Sequence, residues 1–149
     1  MVRPDLIDVM IQLEEPRIRA IGARLIGRWS NGLDNPLALL RLTALDPHPR
    51  VRMETILACT HIPAPEAIEV AATALDLPRD RFIDYAFSLA VHALRPHWLA
   101  ALNRGQLDFG GNQLRLRAVL DEDGSADTLS IVRRLAEEGD SEFLISLIR

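Results

Sequence analysis

Asp46-Pro47-His48-Pro49-Arg50-Val51-Arg52 is the stretch on which the reading of this sequence turns. Each proline biases its predecessor out of the helical region, so Asp46 to Pro49 is a tight turn. Arg50-Val51-Arg52 then opens an arginine-bearing amphipathic helix. The same motif, Pro16-Arg17-Ile18-Arg19, stands 33 residues earlier. A weaker third copy follows at Pro78-Arg79-Asp80-Arg81-Phe82-Ile83. Four residues past the apolar position of each copy come Gly22, Thr55 and Ala86, all small enough to let a neighbouring helix approach closely. Three copies with matched small positions mark an internal repeat.

Working outward, apolar residues recur at spacings of three and four, with almost no two-residue alternation. Ile18, Ile21, Leu25, Ile26 and Trp29 share one predicted face, opposite Arg17, Arg24 and Arg28. Further predicted faces are Leu37, Leu40 and Ala44; Val51, Thr55, Ala58 and Ile62; Ala67, Val70, Ala71 and Ala74; and Phe82, Ala86, Leu89 and Ala93. The breaks carry stop and start chemistry. Asn35 is placed to cap a helix with Pro36 in its first turn, Pro96 to end or kink the helix before it, and Ser125 to cap a helix running to about Glu138. A glycine-rich loop, Asp108 to Asn112, separates the first two thirds from the rest.

The fold class expected is therefore all-α, a solenoid of three to four helical hairpins, each buried by its neighbours. The hairpins fall at approximately 5–30, 36–62 and 66–94, with irregular C-terminal helices over 96–149. The pattern resembles the HEAT repeat family, whose second helix typically opens after an Asp-Pro turn with a Val-Arg pair. That resemblance implies a structural ladder of turn acid and helix arginine, here Arg19, Asp46 and Arg52. A closer resemblance covers residues 5 to about 118, through the Asp46 to Glu54 run, Glu66 to Asp76, Asp80 to Tyr85, and Ala93 to Trp98. These look like the helical segment of large secreted bacterial proteins, often labelled membrane-bound dehydrogenases, that join a propeller and a HEAT segment to a c-type haem domain. The resemblance implies a spacer or docking module. The Cys-x-x-Cys-His haem motif and the propeller strands are not in this sequence.

Composition narrows the chemistry. All 17 basic residues are arginine, which excludes Schiff-base, pyridoxal-phosphate and phosphate-loop lysine chemistry. The single cysteine, Cys59, allows no internal disulfide or cysteine-rich zinc site and reads as a small core residue. Aromatic residues are only 5%, so Leu, Ile, Val and Ala must build the core. No run approaches the roughly 18 apolar residues of a membrane span. The expected compartment is periplasmic or extracellular for a piece of the resembled proteins, and cytoplasmic for a chain that stands alone.

Candidate sites are few. His48, His61, His92 and His97 lack metal-ligand spacing on one helix face. Asp121 to Asp127 has the acid spacing of a calcium loop but carries Ala126 and Val132 where glycine and glutamate belong. Asp80, Asp84 and Tyr85 sit at a helix start, where acids favour the helix dipole. No catalytic residue, cofactor or metal is assigned. Arg17, Arg24, Arg50, Arg81 and Trp98 are the expected partner-binding residues, serving a protein partner or adjacent domains. The second reading is a HEAT-like DNA glycosylase, but 21 acids against 17 arginines and a pI of 5.5 argue against nucleic acid. The apolar run Phe143 to Ile148 is expected to be capped by another chain, by further domains or by self-association.

Overall fold

The computed structural model describes residues 3–139 together with Ile145. The described residues form nine α-helices, with short 3-10 turns at Ser30–Gly32, Ala74–Asp76 and Phe109–Gly111, a helical Ile145 and no strand among them: α1 (Pro4–Met10), α2 (Pro16–Arg28), α3 (Pro36–Ala44), α4 (Pro49–Cys59), α5 (Glu66–Thr73), α6 (Arg81–Ala93), α7 (Arg95–Asn103), α8 (Gln113–Asp123) and α9 (Ala126–Glu137). The all-helical class is as expected. Of the C-terminal apolar run, all but Ile145 lies outside the described residues.

Helix starts follow from local chemistry. Proline opens α2, α3 and α4 at the first helical position, where its missing N–H costs nothing. The caps before them are Glu15, Asn35 and His48, each accepting from a backbone N–H of the first turn. Ser125 caps α9 and Gly124 ends α8 in the left-handed conformation. Asp80, rather than a proline, caps α6 by accepting from Phe82 and Ile83 N–H at 3.0 and 2.9 Å.

This cap shifts the third copy by one residue. Counted from Glu15, His48 and Asp80, the position of Ile18 and Val51 belongs to the buried Ile83, and that of Arg19 and Arg52 to Asp84. Phe82, aligned with them in the sequence motif, is instead 55% exposed. The predicted α6 face is corrected accordingly. Leu89 and Ala93 also face solvent, whereas Ile83, Ala86, Phe87, Ala90 and Val91 are buried.

Packing alternates. α2 lies along α4, α4 along α6, and α3 along α5, while α1, α3 and α5 each also contact the helix that follows. The α2 face is a second correction: its buried side is Ala20, Gly22, Ala23, Ile26 and Gly27, and Ile21 is largely exposed. Gly27 shows why: α4 comes so close there that a Cβ would meet the Ala58 backbone, while Gly22 faces the end of α1. One continuous core runs from Ile7 through Ile26, Leu40, Ile56, Ile68 and Phe87 to Trp98, Val119 and Ile131. Beyond the glycine loop, α8 packs on both α5 and α6. Arg115 fastens it there by a two-pronged pair with Asp76, at 3.0 and 2.5 Å.

Candidate functional site

Two turns stacked side by side make the most chemically distinctive surface. The first joins α3 to α4, and the second runs from Leu77 to the start of α6. Arg19 reaches forward to the first. Its Nε and Nη2 donate to the Asp46 carboxylate at 2.7 and 3.0 Å, and Nη1 donates to the carbonyls of Leu13 and Glu14 in its own turn. Arg52 repeats the gesture one layer on. Its Nη1 donates to the Asp46 and Pro47 carbonyls at 2.9 and 3.3 Å, and Nη2 to the Pro78 carbonyl of the following turn. Arg19 and Asp46 therefore meet as a bidentate pair. Arg52 joins them through backbone oxygens, not through the Asp46 carboxylate.

Arg52 is unusual in another respect. It is 2% exposed, no carboxylate among the described residues lies within ion-pair distance, and its Nε has no hydrogen-bond acceptor. Burying a charge without a counter-ion is costly, and three carbonyl dipoles only partly offset it. Over this guanidinium opens a cleft of about 520 Å³ walled by Leu45, Pro47, Pro49, Leu77 and Pro78, with Arg79 and Asp80 at its edge. A second hollow of about 280 Å³ shares Pro49 and Asp80 with it and continues past Arg50 and Met53 to Phe82. The two hollows lie side by side at the openings of α4 and α6, and the pair is termed the groove.

The expected partner-binding residues are dispersed. Arg17, Arg50 and Arg81 are exposed at the starts of α2, α4 and α6, and Arg81 lies over the Phe82 ring at 4.8 Å. Arg24 is half-exposed and bonded through two nitrogens to the buried Glu54 of α4, at 3.1 and 2.5 Å. Trp98 is not a surface residue. It is 0% exposed in the core, with its indole N–H donating to the Val91 carbonyl at 2.8 Å. A partner cannot touch it, and that expectation is withdrawn.

Several other titratable groups have structural employment. His48 is a cap, and His92 Nδ1 lies 2.8 Å from the Ser88 carbonyl. Asp84 pairs with Arg79 at 2.7 Å. No group of three His, Cys, Asp or Glu able to hold a metal occurs among the described residues. Burial pushes the Cys59 thiol up to about 12. Asp123 is opposed by burial, but hydrogen bonds from Ser125 and Thr128 and the Arg95 guanidinium prevail and hold its carboxyl at about 2. So the Asp121 to Asp127 run is a joint between α8 and α9, clamped by Arg95 at the start of α7.

Sequence reasoning missed the Arg24–Glu54, Arg95–Asp123 and Arg115–Asp76 pairs. A signal for one of them existed. Arg19 to Asp46, Arg52 to Pro78 and Arg95 to Asp123 span 27, 26 and 28 residues, so an arginine reaching one layer ahead recurs at nearly fixed spacing. No protein-family model, curated protein or solved structure gives a significant match to this chain.

Proposed function

We propose that this chain is a non-catalytic α-solenoid of HEAT-like hairpins that docks a protein partner or adjacent domains. The pairing of α2 with α4, α4 with α6, and α3 with α5 supports a one-dimensional stack, since each helix meets its counterpart one hairpin away. The observation that carries the docking role is on α6. Phe82, Tyr85 and Leu89, at helical spacing, expose 55, 68 and 42% of their surface beside Arg81 and the groove. A contiguous aromatic and aliphatic stripe with arginine at its border is the usual composition of an interface centre. The buried polar groups Asp46, Arg52, Glu54 and Thr55 bind one another's elements together, which suits a scaffold. On this reading the chain is a module of the larger dehydrogenase and haem-domain proteins it resembles, where docking is between domains.

The test is site-specific photocrosslinking in the cell of origin. A benzophenone side chain replacing Tyr85 is expected to capture a defined protein, or a neighbouring domain of a longer chain, and one replacing Asp8 on the far end is not. Crosslinks to nucleic acid, together with salt-dependent binding of duplex DNA, would instead favour the glycosylase-like reading.

A further inference from the structure

We propose that the groove over Arg52 is a peptide-binding site whose occupant is a linear acidic segment with an apolar anchor residue. This rests on the docking reading above and specifies its chemistry. Charge is the first argument. Arg50 and Arg52 have no ion-pair partner among the described residues, whereas Arg79 at the rim is already paired with Asp84. Among the described residues the only carboxylate lining either hollow is Asp80, which caps α6. With its charge set against those of Arg50 and Arg52, the lining keeps a positive surplus within a chain of net charge -4, so the sign is local and not inherited from composition.

The buried state of Arg52 is the second, independent argument. The Arg52 guanidinium lines the cleft with only carbonyl oxygens as partners, so no carboxylate among the described residues neutralises it and its charge is left for an anion to meet. A carboxylate entering the cleft would face that charge, with Arg50 lining the adjacent hollow. Shape is the third. The hollow leading to Met53 and Phe82 is apolar and lies next to the charged cleft, so it accepts a leucine- or phenylalanine-sized side chain a few residues along the same segment. The two hollows share Pro49 and Asp80 in their walls, so they lie side by side, a spacing that an extended chain can span.

The experiment is selection of a displayed library of random peptides on the immobilised full chain, followed by anisotropy titration of the enriched peptides. Enriched sequences should carry several Asp or Glu around a Leu, Ile or Phe, and their affinity should fall with added salt. Arg50→Glu and Phe82→Ser, both at exposed positions, should each weaken binding about tenfold or more. Arg52→Met should do so as well, and circular dichroism separates lost binding from lost folding in that variant. Enrichment of neutral or basic peptides, or acidic ones indifferent to Arg50→Glu, overturns the proposal, as does an absence of any enrichment. Peptides indifferent to the groove variants but lost in Tyr85→Ser would leave the docking scaffold standing while removing the groove from it. Failure of the scaffold itself is read separately, from the photocrosslinking at Tyr85.

Discussion

Gly27 of α2 packs directly on Ala58 of α4: a Cβ built on Gly27 would lie 2.7 Å from the Ala58 Cα and 3.0 Å from its carbonyl oxygen. Backbone, not a flexible side-chain tip, blocks the space. Gly27→Ala must therefore part the two helices, at a cost of about 1–3 kcal/mol that exceeds the roughly 1 kcal/mol gained in helix propensity. Gly22→Ala meets the Ile11 Cγ2 at 2.9 Å and the Met10 Cβ at 3.3 Å, side-chain atoms at the end of α1 and not the backbone of a packed helix. Urea denaturation should rank both as destabilising, Gly27→Ala the more so. Equal stabilities would show that the helices do not cross there.

The Arg19–Asp46 pair should couple measurably. Removing either partner leaves the other charge largely buried, with side chains only 14 and 8% exposed, so Arg19→Met and Asp46→Asn should each cost about 2–4 kcal/mol. Combining them should cost much less than the sum. Arg19→Lys should fall between wild type and Arg19→Met, because an ammonium cannot span both carboxylate oxygens and the turn carbonyls of Leu13 and Glu14. Strict additivity in this double-mutant cycle would refute the bridge.

Acid should loosen the joint between α8 and α9. The folded carboxyl of Asp123 titrates at about 2, below its ordinary value near 3.8. Its contribution is thus complete above pH about 4 and is lost as pH falls towards 2. Thermal melts of the wild type should lose stability across that window beyond what Asp123→Asn loses. The variant should start roughly 1–3 kcal/mol less stable at neutral pH. Parallel pH profiles for the two proteins would contradict this assignment.

Cys59 should be silent in the native state. A wholly buried thiol raised to about 12 offers almost no thiolate at neutral pH. Labelling with a disulfide reagent should proceed only through opening of α4, and its rate should rise with urea in step with unfolding. Rapid labelling without denaturant would mean that α4 opens locally.

How much of this was written in the sequence differs from element to element. Pro16, Pro36, Pro49, Asn35 and Ser125 mark helix starts because capping and proline geometry act within one turn of chain. The Arg19–Asp46 rung is what the family resemblance implies, and the two side chains meet. Which side of α6 faces inward was not legible, because a cap at Asp80 replaces the proline and moves the register by one residue. That single step exposes Phe82 and buries Ile83.

The sequence by itself determined the all-helical class, the helix starts, the arginine-only basicity and the recurrence of a turn with an arginine after it. These are local or periodic properties, fixed by residues near one another in the chain. Only the tertiary structure decided that Trp98 is core, that Gly27 and not Ile21 meets α4, and that Arg52 lies buried without a carboxylate beneath a groove. Each depends on which surface a helix turns to its neighbours, and hydrophobic spacing leaves that choice open when two faces are both apolar.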